Sequence, residues 1–112
     1  MHYRVFYYFE RSSESVASTS PIEMSARSIA EQLLGRLHCD DDYLGILDTW
    51  DNVLQVLCTP GTEDRYWVEL PLDQARASYG RFMGFAEVEE LILGLPGVLD
   101  RSRIPGMEYR PW

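Results

Sequence analysis

Apolar and polar residues alternate over residues 2–10, and this pattern predicts the first β-strand. One side of the strand carries four apolar side chains: Tyr3, Val5, Tyr7 and Phe9. The other side also carries aromatic residues, Phe6 and Tyr8. A strand with aromatic side chains on both sides is expected in the interior of a sheet, where both of its faces are covered.

The same alternation predicts three consecutive strands in the middle of the chain, at residues 43–48, 53–58 and 65–70. The four-residue loop at 49–52 has a common hairpin length. The apolar set on one side is expected to form the core: Leu44, Ile46, Leu54, Val56, Cys58, Tyr66, Val68 and Leu70. The opposite side carries Tyr43, Gln55, Leu57, Arg65, Trp67 and Glu69.

Apolar residues at helical spacing predict a helix after the small polar loop at residues 12–20. Ser20 is placed as its N-cap, Pro21 as its first helical residue and Glu23 as the acid of a capping box. The helix is expected to end near His38. Its apolar stripe consists of Ile22, Ala26, Ile29, Ala30, Leu33, Leu34 and Leu37.

A second helix is predicted over residues 85–93, before a run of glycine and proline. Residues 72–83 are expected to be extended, because Gly80 suits a strand or bulge better than a helix interior. A short edge strand is expected around 107–110. The chain, residues 1–112, is therefore predicted to be a single α+β domain with two layers. These layers are an antiparallel sheet of four to six strands and two helices packed on one face.

The net charge of −8 comes entirely from residues 40–73, which hold nine acidic residues and one cation, Arg65. Charge of one sign in one region predicts a protein partner with a basic surface. It argues against direct binding to nucleic acid, which needs a basic patch. The sequence has no secretory signal and no apolar run of about 20 residues, so we expect a cytoplasmic protein that does not enter a membrane.

No motif predicts an enzyme, a cofactor or a metal site. Cys39 beside His38 suggests a nucleophile and its base, but a thiol between a helix C-terminus and the acidic run 40–42 has a disfavoured thiolate. Three consecutive carboxylates favour a solvated loop over a calcium or magnesium site. A disulfide between Cys39 and Cys58 is not expected in a cytosolic chain. We therefore expect a protein without catalytic activity, cofactor or metal.

Two tryptophans are the best candidates for contact with a partner. Trp50 lies in the predicted hairpin loop between Asp48 and Asp51, and Trp67 lies opposite the predicted core, two residues before Glu69. Exposed aromatic side chains flanked by acids are suited to anchor an interface. These five residues form the predicted partner-binding set. The alternative for Trp67 is a place in the core.

Residues 43–97 also carry motifs of a known family. They comprise a D-N-x-L-Q-V strand at Asp51–Val56, a W-V-E-L strand at Trp67–Leu70 and an E-V-x-x-L helix at Glu87–Leu91. In these motifs the chain resembles the Imm1-type immunity proteins of bacterial polymorphic-toxin systems, which are small acidic α+β proteins. The resemblance implies a protein that neutralises a toxin and carries no catalytic residues.

Charge and resemblance together predict an immunity protein that binds a cognate bacterial toxin and occludes its basic substrate site. A nuclease or nucleic-acid deaminase is the expected toxin class, because such enzymes bind phosphates and an acidic inhibitor can imitate them. The alternative is a phage-encoded anti-defence protein of the anti-CRISPR kind, which would act by the same mimicry. A small hydrolase or transferase is a third possibility, and the oligomeric state stays open.

Overall fold

The computed structural model describes residues 2–38, 41–59 and 65–112. Eight β-strands and two α-helices follow one another in the order β1 (His2–Phe9), β2 (Glu14–Val16), β3 (Ile22–Ser25), α1 (Ala26–Gln32), β4 (Tyr43–Leu47), β5 (Val53–Cys58), β6 (Arg65–Leu72), β7 (Ala77–Gly84), α2 (Phe85–Leu93) and β8 (Glu108–Pro111). Short 3-10 turns lie at Leu34–Arg36 and Asp73–Ala75. No helix within these ranges is long and apolar enough to cross a bilayer.

The strands form one open antiparallel sheet in the order β2-β1-β4-β5-β6-β7-β8. Strand β3 shares the outer edge of β1 with β2, since both pair with β1 on the side away from β4. Strands β4 to β7 form the predicted meander, and each pairs with the next. The predicted α+β class is confirmed. The eight strands exceed the predicted four to six, because β2 and β3 occupy segments that were expected to be a loop and the start of a helix.

The predicted start of the first helix at Ser20 is wrong. Residues 22–25 pair with β1 as a strand, and α1 begins only after Ser25, whose Oγ accepts a hydrogen bond of 3.1 Å from the Ser28 amide. A capping box is a local signal worth about 1 kcal/mol. Strand pairing satisfies the backbone groups of a whole segment, so the open edge of β1 overrides the local cap. The helix also ends early, at Gln32 rather than near His38.

Two other segments differ in part from the expectation. The loop predicted at 12–20 contains β2, and the segment predicted as extended over 72–83 contains the 3-10 turn at Asp73–Ala75. Arg76 adopts a positive φ of 49° between that turn and β7. The helix over 85–93 and the edge strand near 107–110 lie where they were predicted. The connection between the strands predicted at 53–58 and 65–70 lies largely outside the described residues.

The core lies between the helices and one side of the sheet. The predicted inward residues of β4, β5 and β6 are buried there, apart from the half-buried Cys58. The same core contains residues of both helices, of the segment 33–37 after α1 and of the segment after α2: Ile29, Ala30, Leu33, Leu34, Leu37, Val88, Ile92, Leu95, Leu99 and Ile104. We call the opposite side of the sheet the open face.

Two glycines let aromatic rings lie flat on the open face. A Cβ at Gly45 would lie 2.0 Å from Cζ of Phe6, which is the cross-strand neighbour of Gly45. A Cβ at Gly80 would lie 2.4 Å from Cζ2 of Trp67. Each ring therefore occupies the space that a side chain at the glycine would fill. This explains how Phe6 is buried although it lies outside the core.

We predict that Gly45→Ala destabilises the fold by about 1–3 kcal/mol, because the added methyl group forces the Phe6 ring out of its place. Chemical denaturation monitored by circular dichroism measures this free energy. Gly35→Ala is the matched control, since a Cβ there meets no atom within 4 Å. Equal stability of the two variants would contradict the packing role of Gly45.

Candidate partner-binding face

A row of large side chains crosses the open face from β1 to β7. Each member is the register neighbour of the next, and the row runs Tyr8, Tyr43, Leu57, Trp67 and Phe82. We call it the aromatic row. Side chains directly opposite one another on paired strands are close enough to pack. The alternation of five strands therefore assembles an apolar band that no single stretch of sequence contains.

The exposed end of the aromatic row lies at Trp67 and Phe82. Their ring centroids are 4.9 Å apart at 60°, and Phe82 is 40% exposed while Trp67 is half-buried. The guanidinium of Arg110 lies 5.0 Å from the Trp67 ring centroid, and that of Arg65 lies 4.7 Å from the Phe82 ring centroid. Tryptophan, phenylalanine and arginine are residue types enriched at protein interfaces. This cluster is the part of the open face best suited to anchor a partner.

Glu69 lies in the neighbouring row of the open face. Its register neighbours are Gln55 on β5 and Gly80 on β7, and only 9% of Glu69 is exposed. The Trp67 ring lies over Gly80, next to Glu69. Glu69 therefore lies on the side opposite the core, as predicted from alternation, but it offers little surface to a partner.

Asp48 is a buried structural carboxylate at the end of β4. Its Oδ1 accepts hydrogen bonds from the amides of Trp50 (2.8 Å) and Asn52 (2.9 Å). Its Oδ2 accepts from Asn52 Nδ2 (2.9 Å) and from the Leu99 amide (2.8 Å). Burial raises the pKa of Asp48, but the hydrogen bonds from Leu99, Asn52 and Trp50 outweigh it and hold the pKa below its ordinary value. Asp48 thus fixes the hairpin loop and leaves no face for a partner.

The hairpin loop presents Trp50 and Asp51 to solvent. Trp50 is 73% exposed. Asp51 adopts a positive φ of 64°, and its Oδ1 lies 2.6 Å from Arg4 Nη2. Arg4 also donates to the Asp48 carbonyl, so one cation from the open face of β1 clamps the loop.

The five predicted contact residues thus fall in two places. Trp67 and Glu69 lie within the sheet, whereas the loop that holds Trp50 and Asp51 lies beyond its end. Leu57, the neighbour of Trp67, is four residues along β5 from Val53, which corresponds to about 13 Å. Asp48 is buried and is not exposed in either place. One partner of ordinary interface size is wide enough to cover both.

Most of the described acidic side chains of residues 40–73 are buried, and few of them contribute to the surface. Five of its nine acidic side chains are described: Asp41, Asp42, Asp48, Asp51 and Glu69. Three of these are buried, namely Asp42, Asp48 and Glu69. Asp42 accepts hydrogen bonds of 2.8 Å from the amides of Glu10 and His38. The summed charge of the stretch therefore does not translate into an acidic patch among these residues.

The sequence did not predict Phe82 and Arg110 as residues of the candidate binding face. Phe82 falls in a segment with mixed helix and strand signals, and Arg110 reaches the face only because β8 pairs with β7. The period-2 pattern of β7 was the available signal for Phe82. Among the described residues no group of three histidine, cysteine or acidic side chains is placed to hold a metal ion. Cys39 and Asp40 lie outside those residues.

No protein-family model matches the chain, and neither a curated protein nor a solved structure matches it. The resemblance to Imm1-type immunity proteins stays a prediction.

We predict that Asp48→Asn destabilises the fold by about 2 kcal/mol, because an amide nitrogen replaces an oxygen that accepts hydrogen bonds in a buried site. The loss should depend on pH. The folded-state pKa lies below the ordinary value of 3.8, so ionised Asp48 stabilises the fold fully above about pH 4. That stabilisation is lost as the pH falls through the lowered pKa.

Urea denaturation at pH 7, 5, 4 and 3 measures this dependence. The gap in unfolding free energy between wild type and variant should be constant from pH 7 to 5 and shrink below pH 4. Asp41→Asn is the control, since Asp41 is exposed. A gap that does not change with pH would contradict the role given to the Asp48 carboxylate.

Proposed function

We propose that this chain is an immunity protein that binds a cognate bacterial toxin and neutralises it without catalysis. The open face is its binding surface, centred on Trp67, Phe82 and Arg110, with Trp50 at the margin. The expected toxin is a nuclease or a nucleic-acid deaminase. The chain would act in the cytoplasm by occluding the basic substrate site of that toxin.

The composition of the open face is the observation that carries this proposal. Exposed aromatic residues and arginines are the residue types that contribute most binding energy in protein interfaces. Here Phe82 is 40% exposed, and the guanidinium of Arg110 lies over the neighbouring Trp67 ring. Exposed apolar side chains that lie next to one another often mark an interaction site. A covering partner protein gives the aromatic row a role.

The net charge supports the choice of a basic partner. A charge of −8 on 112 residues produces a field that extends beyond the contact surface and attracts a positive protein. Such attraction raises the association rate, up to about 10⁸ M⁻¹s⁻¹ or more at low salt. The field acts at long range and does not require an acidic patch at the contact. Steering and anchoring can therefore come from different residues.

Nothing in this proposal requires a reaction by the chain itself. The buried carboxylates of Asp48 and Asp42 accept backbone hydrogen bonds from Leu99 and His38. Binding alone can neutralise a toxin if the lifetime of the complex exceeds the time between cell divisions. This requires slow dissociation, which well-packed aromatic anchors provide.

We predict that Phe82→Ala weakens binding to the cognate toxin about 30-fold, the equivalent of about 2 kcal/mol, because it removes an exposed anchor. Trp50→Ala should weaken binding less, since Trp50 lies at the margin. The reading frame next to this gene would be expressed in a bacterial host with and without the chain. Growth rescue and the dissociation constant of the purified pair are the two measurements.

Leu93→Ala is the matched control, because Leu93 is 52% exposed but lies on α2, behind the open face. It should rescue growth like wild type. A neighbouring product that is harmless alone, or that is not bound, argues against the immunity function. Protection of phage from a host defence nuclease would instead identify the anti-defence alternative. Loss of binding in Leu93→Ala with normal binding in Phe82→Ala would move the interface to the helical side.

A further inference from the structure

A cleft lies at the edge of the sheet where β8 stops short of β7. The register pairs Glu108 with Gly80, so β8 covers only the first half of β7. The described chain places no strand beside the second half, from Arg81 to Gly84, on that side. A cavity of about 370 Å³ occupies the space, lined by Arg65, Arg81, Phe82, Gly106, Glu108 and Arg110. It adjoins the exposed end of the aromatic row.

The lining of this cleft has the opposite sign to the whole protein. Three arginines and one glutamate give the lining a formal charge of +2, whereas the chain carries −8. The arginines come from three different strands, β6, β7 and β8. Their convergence is therefore a product of the fold and not of a basic run in the sequence.

The arginines keep hydrogen-bonding capacity for a ligand. Arg65 stacks on the Phe82 ring and makes no ion pair with a residue in the described ranges. Arg110 lies 3.7 Å from Glu108, longer than a strong charge-assisted hydrogen bond. Arg81 uses Nη2 for Glu87 at 3.1 Å. A guanidinium stacked on a ring still presents its N–H donors in its own plane, where a carboxylate binds in bidentate fashion.

We propose that this cleft receives a carboxylate side chain, aspartate or glutamate, from the partner protein. The inference rests on the proposed function and adds the chemistry of one contact. A carboxylate would pair with the guanidinium groups of Arg65 and Arg110, which both lie against rings of the open face, and its aliphatic stem would pack against Phe82. The partner is thus drawn in by its overall basic charge and selected by one acidic residue. A partner without that residue would leave like charges facing each other.

The test uses the isolated chain, so its result does not depend on whether the toxin assignment holds. The probe is a capped peptide of four glutamates, with a capped peptide of four glutamines as control. The Nε–Hε signals of the arginines are followed by NMR during the titration, at about 0.15 M salt to screen the net charge. Arg27 and Arg103, both exposed and outside the cleft, are the reference signals.

We expect saturable chemical-shift changes at the Nε–Hε signals of Arg65 and Arg110 with the glutamate peptide and none with the glutamine peptide. The double variant Arg65→Gln and Arg110→Gln should bind at least about tenfold more weakly while its circular dichroism spectrum is unchanged. Equal shifts at Arg27 and Arg103 would overturn the proposal. Tighter binding of inorganic phosphate or of a ten-nucleotide single strand would also overturn it, in favour of a phosphate site.

Discussion

The buried carboxylate of Asp48 holds together parts of the chain that are distant in sequence. It fixes the β4–β5 loop through Trp50 and Asn52, and it binds the amide of Leu99, 51 positions away. The Tyr3 hydroxyl shares its one proton between the carbonyl oxygens of Leu95 and Pro96, which lie 2.9 and 3.0 Å away. Burial and the negative charge of Asp48 both raise the pKa of Tyr3. Strand β1, the hairpin and the segment after α2 therefore meet at one ionised group.

The hydrogen bond between Asp48 and the Leu99 amide holds the segment after α2 on the helical side of the sheet. The segment after α2 carries Leu95, Leu99 and Ile104 into the core, where they complete the cover that the two helices begin. All of these elements lie on the same side. Among the described residues, the guanidinium groups of Arg65 and Arg110 lie over rings of the aromatic row on the other side. The core and the proposed binding surface thus lie on opposite faces of one sheet.

The sequence predicts the parts of this fold in which the local signal and the tertiary environment agree. The meander alternates cleanly, so β4 and β5 and the inward set from Leu44 to Leu70 could be predicted from it. The capping box at Ser20 is an equally clear signal, but the edge of β1 competes for the same residues and prevails. A helix cap stabilises only the first turn of a helix, whereas the edge of a β-strand can pair with a segment from any part of the chain.

The candidate site was predictable to a smaller extent, for a similar reason. Trp67 could be placed opposite the core from alternation alone. Its neighbours Phe82 and Arg110 depend on strand register between β6, β7 and β8, which one sequence does not specify. Asp48 could not be distinguished from Asp51, because burial depends on what lies above the loop. Only the structure shows that Leu99 lies there.

The glycines beneath Phe6 and Trp67 constrain how such a protein can evolve. A larger residue at position 45 fits without displacing a ring only if residue 6 is smaller than phenylalanine, since both claim the same space. The same relation holds between position 80 and Trp67. Exposed positions such as Phe82 and Trp50 carry no such dependence. Each ring and its glycine are therefore a linked pair, in which a change of size at one position requires a matching change at the other.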